Sequence, residues 1–137
     1  MLDKLDCILS LATLQNKMQK AADRALGLHG ISFSEFYILY YLERESTKTM
    51  RRIDLAESMA MSASGITRAL TPMEKIGLIR KETNPRDARV SLVKLTPSGE
   101  RVFEETLLTM KTAADDLLGK LSDEDVVSLI AIMQKIL

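Results

Sequence analysis

Apolar residues recur at helical spacing over the first part of the chain. Leu5, Ile8, Leu9, Ala12, Met18, Ala21, Ala22 and Ala25 fall mostly three or four positions apart, which predicts one long helix over residues 3–26. Gly27 and Gly30 follow and are expected to stop it. Ser32-Phe33-Ser34-Glu35 reads as a capping box, with a serine hydroxyl for the amide three residues on and a glutamate reaching back. The helix it opens is expected to run to about Glu45, with Phe36, Leu39 and Leu42 facing inward. Ser46 to Met50 reads as a short polar link. Residues 51–59 carry Ile53, Leu55, Ala56 and Met59 and predict a short third helix. Ser62 is placed to cap a fourth over 63–76, with Ile66, Ala69, Leu70, Met73 and Ile76 apolar and Gly77 at its end. Thr71-Pro72-Met73-Glu74 is an anomaly inside it. Proline in a helix interior removes a hydrogen bond and costs about 3 kcal/mol. The same four residues also read as a fresh N-cap box, which predicts a kink after Ala69, with the apolar pattern holding the helix together.

The period then changes. Leu78 to Glu82 is short and mixed, and Asn84-Pro85-Arg86-Asp87 has turn chemistry. Residues 89–95 alternate, with Val90, Leu92 and Leu95 against Ser91 and Lys94, so the two runs predict a β-hairpin. Thr96-Pro97 opens a helix to about Lys120, with threonine as N-cap and proline at the first position. Ser122 caps a last helix whose first turn holds Asp123, Glu124 and Asp125, favourable at the positive end of the dipole. Val126, Val127, Leu129, Ile130, Ile132, Met133, Ile136 and Leu137 make that helix apolar around most of its circumference. Such a helix needs cover on more than one side.

Length and composition narrow the class. A chain of 137 residues fits one domain with a workable core. No stretch reaches the roughly 18 apolar residues that span a bilayer. The N-terminal run mixes acids and lysines with a short apolar stretch, unlike a secretory leader. A soluble, cytoplasmic protein without membrane contact is expected. One cysteine, Cys7, and one histidine, His29, supply neither a disulfide framework nor a metal set. With no nucleophile–base pair and no phosphate loop, the reading is of a non-enzyme without cofactor or metal.

Net charge is zero, but it is unevenly spread. From Lys48 to Lys94 there are ten basic residues (Lys48, Arg51, Arg52, Arg68, Lys75, Arg80, Lys81, Arg86, Arg89, Lys94) against Asp54, Glu57, Glu74, Glu82 and Asp87. That segment therefore carries +5 and the remainder −5, and local field governs attraction to a polyanion.

A short helix, a tight turn at Ala60-Met61, a second helix and a hairpin make a winged helix-turn-helix in a mainly α protein. The stretch 51–100 resembles the MarR family of bacterial regulators. The resemblance rests on Leu55-Ala56, on Ser62-Ala63-Ser64-Gly65-Ile66-Thr67-Arg68 and on Met73-Glu74-Lys75-Ile76-Gly77-Leu78. Asp87-Ala88-Arg89 and Leu95-Thr96-Pro97-Ser98-Gly99 complete it, five pieces in order. It implies a homodimeric, DNA-binding transcriptional regulator, a repressor on a near-palindromic operator, with DNA-binding lobe 31–99 and dimerisation helices in 1–30 and 100–137. Ser62, Ser64 and Thr67 are short polar groups that let a helix start approach DNA, and Arg68 can pair with guanine. Ser62 also reads simply as a cap. The resemblance implies that Arg89 enters the minor groove while Asp87 orients it. The alternative is a solvated turn with a local ion pair. The family often has a second arginine where Ala88 stands, and Arg86 is the other candidate for that charge. Arg51 and Arg52 open the third helix, where cations oppose the dipole, so either they bind phosphate or they are ordinary solvated charges.

Many relatives respond to small aromatic acids or lipophiles. Met18, His29, Tyr37 and Tyr40 are the candidate lining residues for such an effector, against plain interface packing; His29 also reads as a loop or cap residue. Cys7 stands where a peroxide-sensing branch of the family has its reactive thiol, but no tyrosine precedes Tyr37, and a small buried hydrophobe is the competing reading. A winged helix used only for protein–protein contact is the alternative to DNA binding.

Overall fold

The computed structural model describes residues 2–137; Met1, the first residue of the expected N-terminal arm, lies outside them. α1 spans Lys4–Leu26, opened by a capping box in which Asp3 and Asp6 exchange backbone-to-carboxylate bonds. Gly27 does not stop the chain's helical path. It starts a short 3₁₀ turn, Gly27–His29, and Gly30 ends it at φ 77°, a left-handed conformation glycine adopts without strain. The Ser32–Glu35 box forms as read, with Ser32 Oγ accepting from Glu35 and Glu35 accepting from the Ser32 amide, and α2 spans Phe33–Arg44.

The link after α2 is not a loop throughout. Thr49–Arg51 is a strand, β1, so the expected two-stranded hairpin is a three-stranded antiparallel sheet of order β1-β3-β2. β2 is Ile79–Asn84 and β3 is Asp87–Leu95. β1 lies on β3 with Met50 opposite Val93, and β2 lies on its other side with Ile79 opposite Leu95. Between β1 and β2 run α3 (Arg52–Ser58) and α4 (Ala63–Lys75). Their joint is tight: Ala60 sits at φ 53°, and the Met61 amide reaches back 2.9 Å to the Ala56 carbonyl. α4 passes through Pro72 as one helix, and Thr71 does not cap a new one. Its hydroxyl donates to the Thr67 carbonyl instead. Pro72 and Arg68 are both exposed, so water can reach the carbonyl that proline leaves without a donor. Gly77 closes α4 at φ 79°.

α5 spans Pro97–Leu117, ending a turn earlier than the apolar pattern suggests, and α6 spans Asp123–Gln134 behind the Ser122 capping box. One core joins Leu26 of α1, Ile38, Leu39 and Leu42 of α2, Leu55 of α3, Ile66, Leu70 and Met73 of α4, the strands and Phe103 of α5. Ile53 and Ile76, read as apolar positions of their helices, are instead 59% and 60% exposed. No helix among the described residues is long and apolar enough to cross a membrane.

The hairpin is anchored where β3 enters α5. Thr96 Oγ1 donates to the Gly77 carbonyl at 2.6 Å and accepts from the Gly99 amide, and the Thr96 amide donates to the Leu78 carbonyl. Gly99 lies under this joint. A Cβ there would collide with the Leu78 carbonyl oxygen and stand 2.6 Å from Leu95 Cδ1. Backbone cannot yield as a flexible side chain does, so Gly99→Ala is expected to cost about 2 kcal/mol or more, near the upper range for overpacking. Thermal unfolding followed by circular dichroism checks this; an unchanged midpoint would show that the joint is soft.

Candidate nucleic-acid interface

Three elements converge: the start of α3 and the first half of β3, which bring Arg51, Arg52 and Arg89, and the start of α4, which brings Ala63 and Ile66. A groove of about 380 Å³ runs between them, lined by Arg51, Arg52, Met61, Ile66, Arg89 and Val90 among others. Ala56 and Ile66, core residues of α3 and α4, also line it, while Ile53, Glu57 and Ala63 around them are exposed.

Ser62 caps α4, its hydroxyl accepting from the Gly65 amide at 3.0 Å, and it lies 3.3 Å from the Ser64 hydroxyl. Both serines and Arg68 are exposed. Arg68 has no side-chain hydrogen bond or ion pair among the described residues, and neither has the guanidinium of Arg86. Thr67 differs from the other short polar residues. It accepts from Arg52 Nη1 at 2.8 Å and donates to the Ala63 carbonyl.

The two arginines at the start of α3 have separate fates. Arg51 grips Asp54 with Nε at 2.8 Å and Nη2 at 2.9 Å. This hydrogen-bonded pair holds the Asp54 carboxyl below its ordinary range and raises the Arg51 guanidinium above its own. Arg51 is thus charge-compensated, and of the two only Arg52 keeps an uncancelled charge. Asp54 is thus a further residue of the site, and the Arg-x-x-Asp spacing at the start of a helix is its signal in the sequence.

At the wing tip, Asn84 Oδ1 accepts from the Arg86 amide at 2.9 Å, a local side-chain turn that shapes the two residues between the strands. Asp87 Oδ1 accepts both the Arg89 amide at 3.0 Å and Arg89 Nε at 3.1 Å. The Arg89 guanidinium and then its amide hold the Asp87 carboxyl below the usual carboxylate range. The Arg89 side chain is nevertheless 91% exposed, so the carboxylate fixes its direction without burying it.

The four candidate effector residues are not gathered. Met18 lines a small apolar cavity of about 190 Å³ between α1 and α5, floored by Phe33 and Met110, and none of the other three lines it. His29 Nε2 lies 2.8 Å from Thr109 Oγ1, holding the 3₁₀ turn against α5. Tyr40 accepts from Arg44, whose guanidinium also sits 5.2 Å from the ring centroid. Tyr37 stacks on Tyr41 with centroids 5.1 Å apart and planes 6° from parallel. The Tyr41 hydroxyl donates to the Ser58 carbonyl, so the Tyr37 hydroxyl, 3.4 Å away, is left to donate to Tyr41. That bond exists only while Tyr37 is protonated. With burial and the neighbouring phenols adding to it, Tyr37 is pushed up from 10.0 to about 12. Its contribution to stability is therefore full below pH 10 and lost as pH rises through about 12. In a phenolate absorbance titration one tyrosine should ionise late, and Tyr37→Phe should abolish that late step; three coincident titrations would contradict the geometry.

Cys7 is exposed in the lone protomer, because it lies on the first half of α1 and the buried residues of that helix, Ala22 and Leu26, lie in its second half. α6 is the extreme case and buries none of its residues. Val127, Ile130, Ile132 and Ile136 are 47–71% exposed, as are Leu5, Ile8 and Leu9 of α1 at 57–63%.

The MarR family model matches residues 31–91, the whole span from the end of the 3₁₀ turn into β3. The repressor MdtR of Bacillus subtilis is 27% identical over 131 residues, covering 96% of this chain and 83% of MdtR. The transcriptional activatory protein BadR of Rhodopseudomonas palustris is 30% identical, covering 89% of this chain and 71% of BadR. In three dimensions the MepR–DNA complex of S. aureus superposes with a TM-score of 0.85 at 20% identity, over 99% of this chain and 97% of MepR. Motif order, wing, fold and relatives agree, and the chain belongs to the MarR family of transcriptional regulators.

Proposed function

We propose that this chain is a homodimeric transcriptional repressor that binds a near-palindromic duplex. The observation that carries the reading is the convergence of α3, the α4 start and the wing on one groove bearing Arg52 and Arg89, while Arg68 of α4 and Arg86 of the wing tip are exposed and unpaired. In this reading residues 31–99 form the DNA-binding lobe, and 1–30 with 100–137 form the dimer arms. α4 presents Ser62, Ser64 and Arg68 to the major groove, Arg89 reaches the minor groove under the hold of Asp87, and Arg51 and Arg86 lie along the backbone. The similarity to MdtR and MepR supports the class of function. Repression follows where the operator overlaps a promoter.

The direct test is selection of duplexes from a random-sequence pool by the purified protein, then titration of a selected duplex at several salt concentrations. Neutralising phosphates releases counterions, so log affinity should fall steeply against log salt, with a slope near −0.9 per phosphate contact. A flat salt dependence, or no retained duplex, would favour a protein–protein module instead.

A lipophilic effector is favoured over an aromatic acid by one observation. The cavity beside Met18 is walled by Ala21, Ala22, Phe33, Met110 and Leu117 and offers a carboxylate no partner. An uncharged apolar compound that raises the unfolding temperature, where salicylate-type acids do not, is the expected result.

A further inference from the structure

The DNA-binding reading leaves open which side chain of the α3–α4 pair addresses a base. Thr67 has one hydroxyl hydrogen, and it is committed to the Ala63 carbonyl at 3.0 Å. Its oxygen accepts Arg52 Nη1 at 2.8 Å. A hydroxyl in that state has no proton left to give to a base or a phosphate. Arg52 is in the opposite position. A guanidinium carries five N–H donors in a rigid plane, and only one is spent on Thr67. The rest have no partner among the described residues. The residue is half-buried and lines the same groove as Ala63, Ile66 and Arg89. Its neighbour Arg51 has both an Nε and an Nη2 bond to Asp54 and is compensated.

We infer that Arg52 is a specificity-determining residue that reads guanine, and that Thr67 is the residue that positions it. One end of the fork is held on α4, so less side-chain freedom is lost when the free edge pairs with the O6 and N7 atoms of a base. Thr67 sets the height of that edge along α4. The recognition surface is therefore composite: an arginine from the first helix of the motif is displayed on the second.

This inference rests on the proposed DNA binding, and the experiment separates the two. Duplexes selected from a random pool by the wild-type protein supply a consensus. Affinity is then measured for the consensus and for its single-base-pair substitutions with R52A, R52K, T67V, T67S and the R52A/T67V pair. R52A should weaken consensus binding about tenfold or more and flatten the preference at one base pair per half-site. R52K should not restore that preference, since an ammonium lacks the fork. T67V should flatten the same position less strongly, T67S should keep it, and the pair should be no worse than R52A alone. If T67V weakens binding while R52A does not, Thr67 is itself the reader and the inference is overturned. A uniform loss with R52A across all sequences makes Arg52 a phosphate contact, and a lowered unfolding temperature with specificity intact makes the pair a structural brace; either overturns it. Failure of the wild-type protein to retain any duplex removes the DNA-binding reading and this one with it. Wild-type retention with an unaltered R52A removes this one alone.

Discussion

Arg89→Ala is expected to weaken operator binding by about 30-fold or more while leaving the fold and the dimer unchanged. The side chain is 91% exposed and bonds only to Asp87, so its removal opens no cavity and strands no buried partner. What is lost is a cation at the end of a hairpin, where the negative potential of a narrow minor groove attracts it. A contact of this kind is worth about 1 kcal/mol or more, and a homodimer loses it twice, which compounds to the stated factor. The slope of log affinity against log salt should also flatten by about two, one counterion-releasing contact per wing. Asp87→Ala separates charge from direction. It keeps the arginine but removes both the Nε bond and the amide bond that aim it. A loss of about threefold with an unchanged salt slope is expected there, since a surface carboxylate contributes little beyond orientation. Fluorescence anisotropy with a labelled duplex reads all of these quantities. Equal affinities for Arg89→Ala and wild type would remove the wing from the interface.

The balance between what was legible in the chain and what was not follows from the range of the interactions. Caps and boxes are local, so Ser32–Glu35, Ser62, Thr96 and Ser122 all announce their helices within four residues, and all four cap as read. β1 was invisible for the opposite reason. Thr49, Met50 and Arg51 have no period of their own, and they become a strand only through pairing with Lys94, Val93 and Leu92, more than forty positions away. The proline in α4 carries a large local cost, and the burial of Ile66, Leu70 and Met73 on one face holds the helix through it, as the apolar pattern indicates. In the candidate site, residue types were legible, and pairings only where they are local. Three of the arginines looked alike in sequence. Their neighbours distinguish them: Arg51 is compensated by Asp54, Arg52 is docked on Thr67, and Arg89 is aimed by Asp87. The Arg51–Asp54 and Arg89–Asp87 pairs are local enough to be read from spacing, whereas the Arg52–Thr67 pair joins two helices and is not.

The larger effect is expected from the arms. Ile130→Glu should convert the protein from a particle of twice 15.3 kDa to one of 15.3 kDa and abolish tight operator binding. A lone protomer leaves large apolar side chains uncovered. α6 buries none of its residues, yet it carries Val127, Ile130 and Ile132 at 47–68% exposure, and Ile136 just beyond its end is 71% exposed. Leu5, Ile8 and Leu9 extend the same problem along α1. Each large aliphatic side chain taken fully out of water contributes about 1.5–3 kcal/mol, so this set would be costly to leave wet and ample to hold two copies together. A symmetric dimer presents each residue twice, so one charge per chain places two uncompensated carboxylates in the interface. The consequence for DNA follows from geometry. Two lobes joined by the arms bind as one ligand, because engaging the first half-site holds the second lobe at high effective concentration, worth 10²–10⁴ in affinity. A monomer keeps every contact of its own α4 and wing and loses only that factor. The expected signature is therefore a loss of about 10²-fold or more on the full operator, with nearly unchanged affinity for an isolated half-site. Light scattering gives the mass and anisotropy gives the two affinities. An Ile130→Glu protein that stays dimeric with wild-type affinity would show that α6 is not the seam.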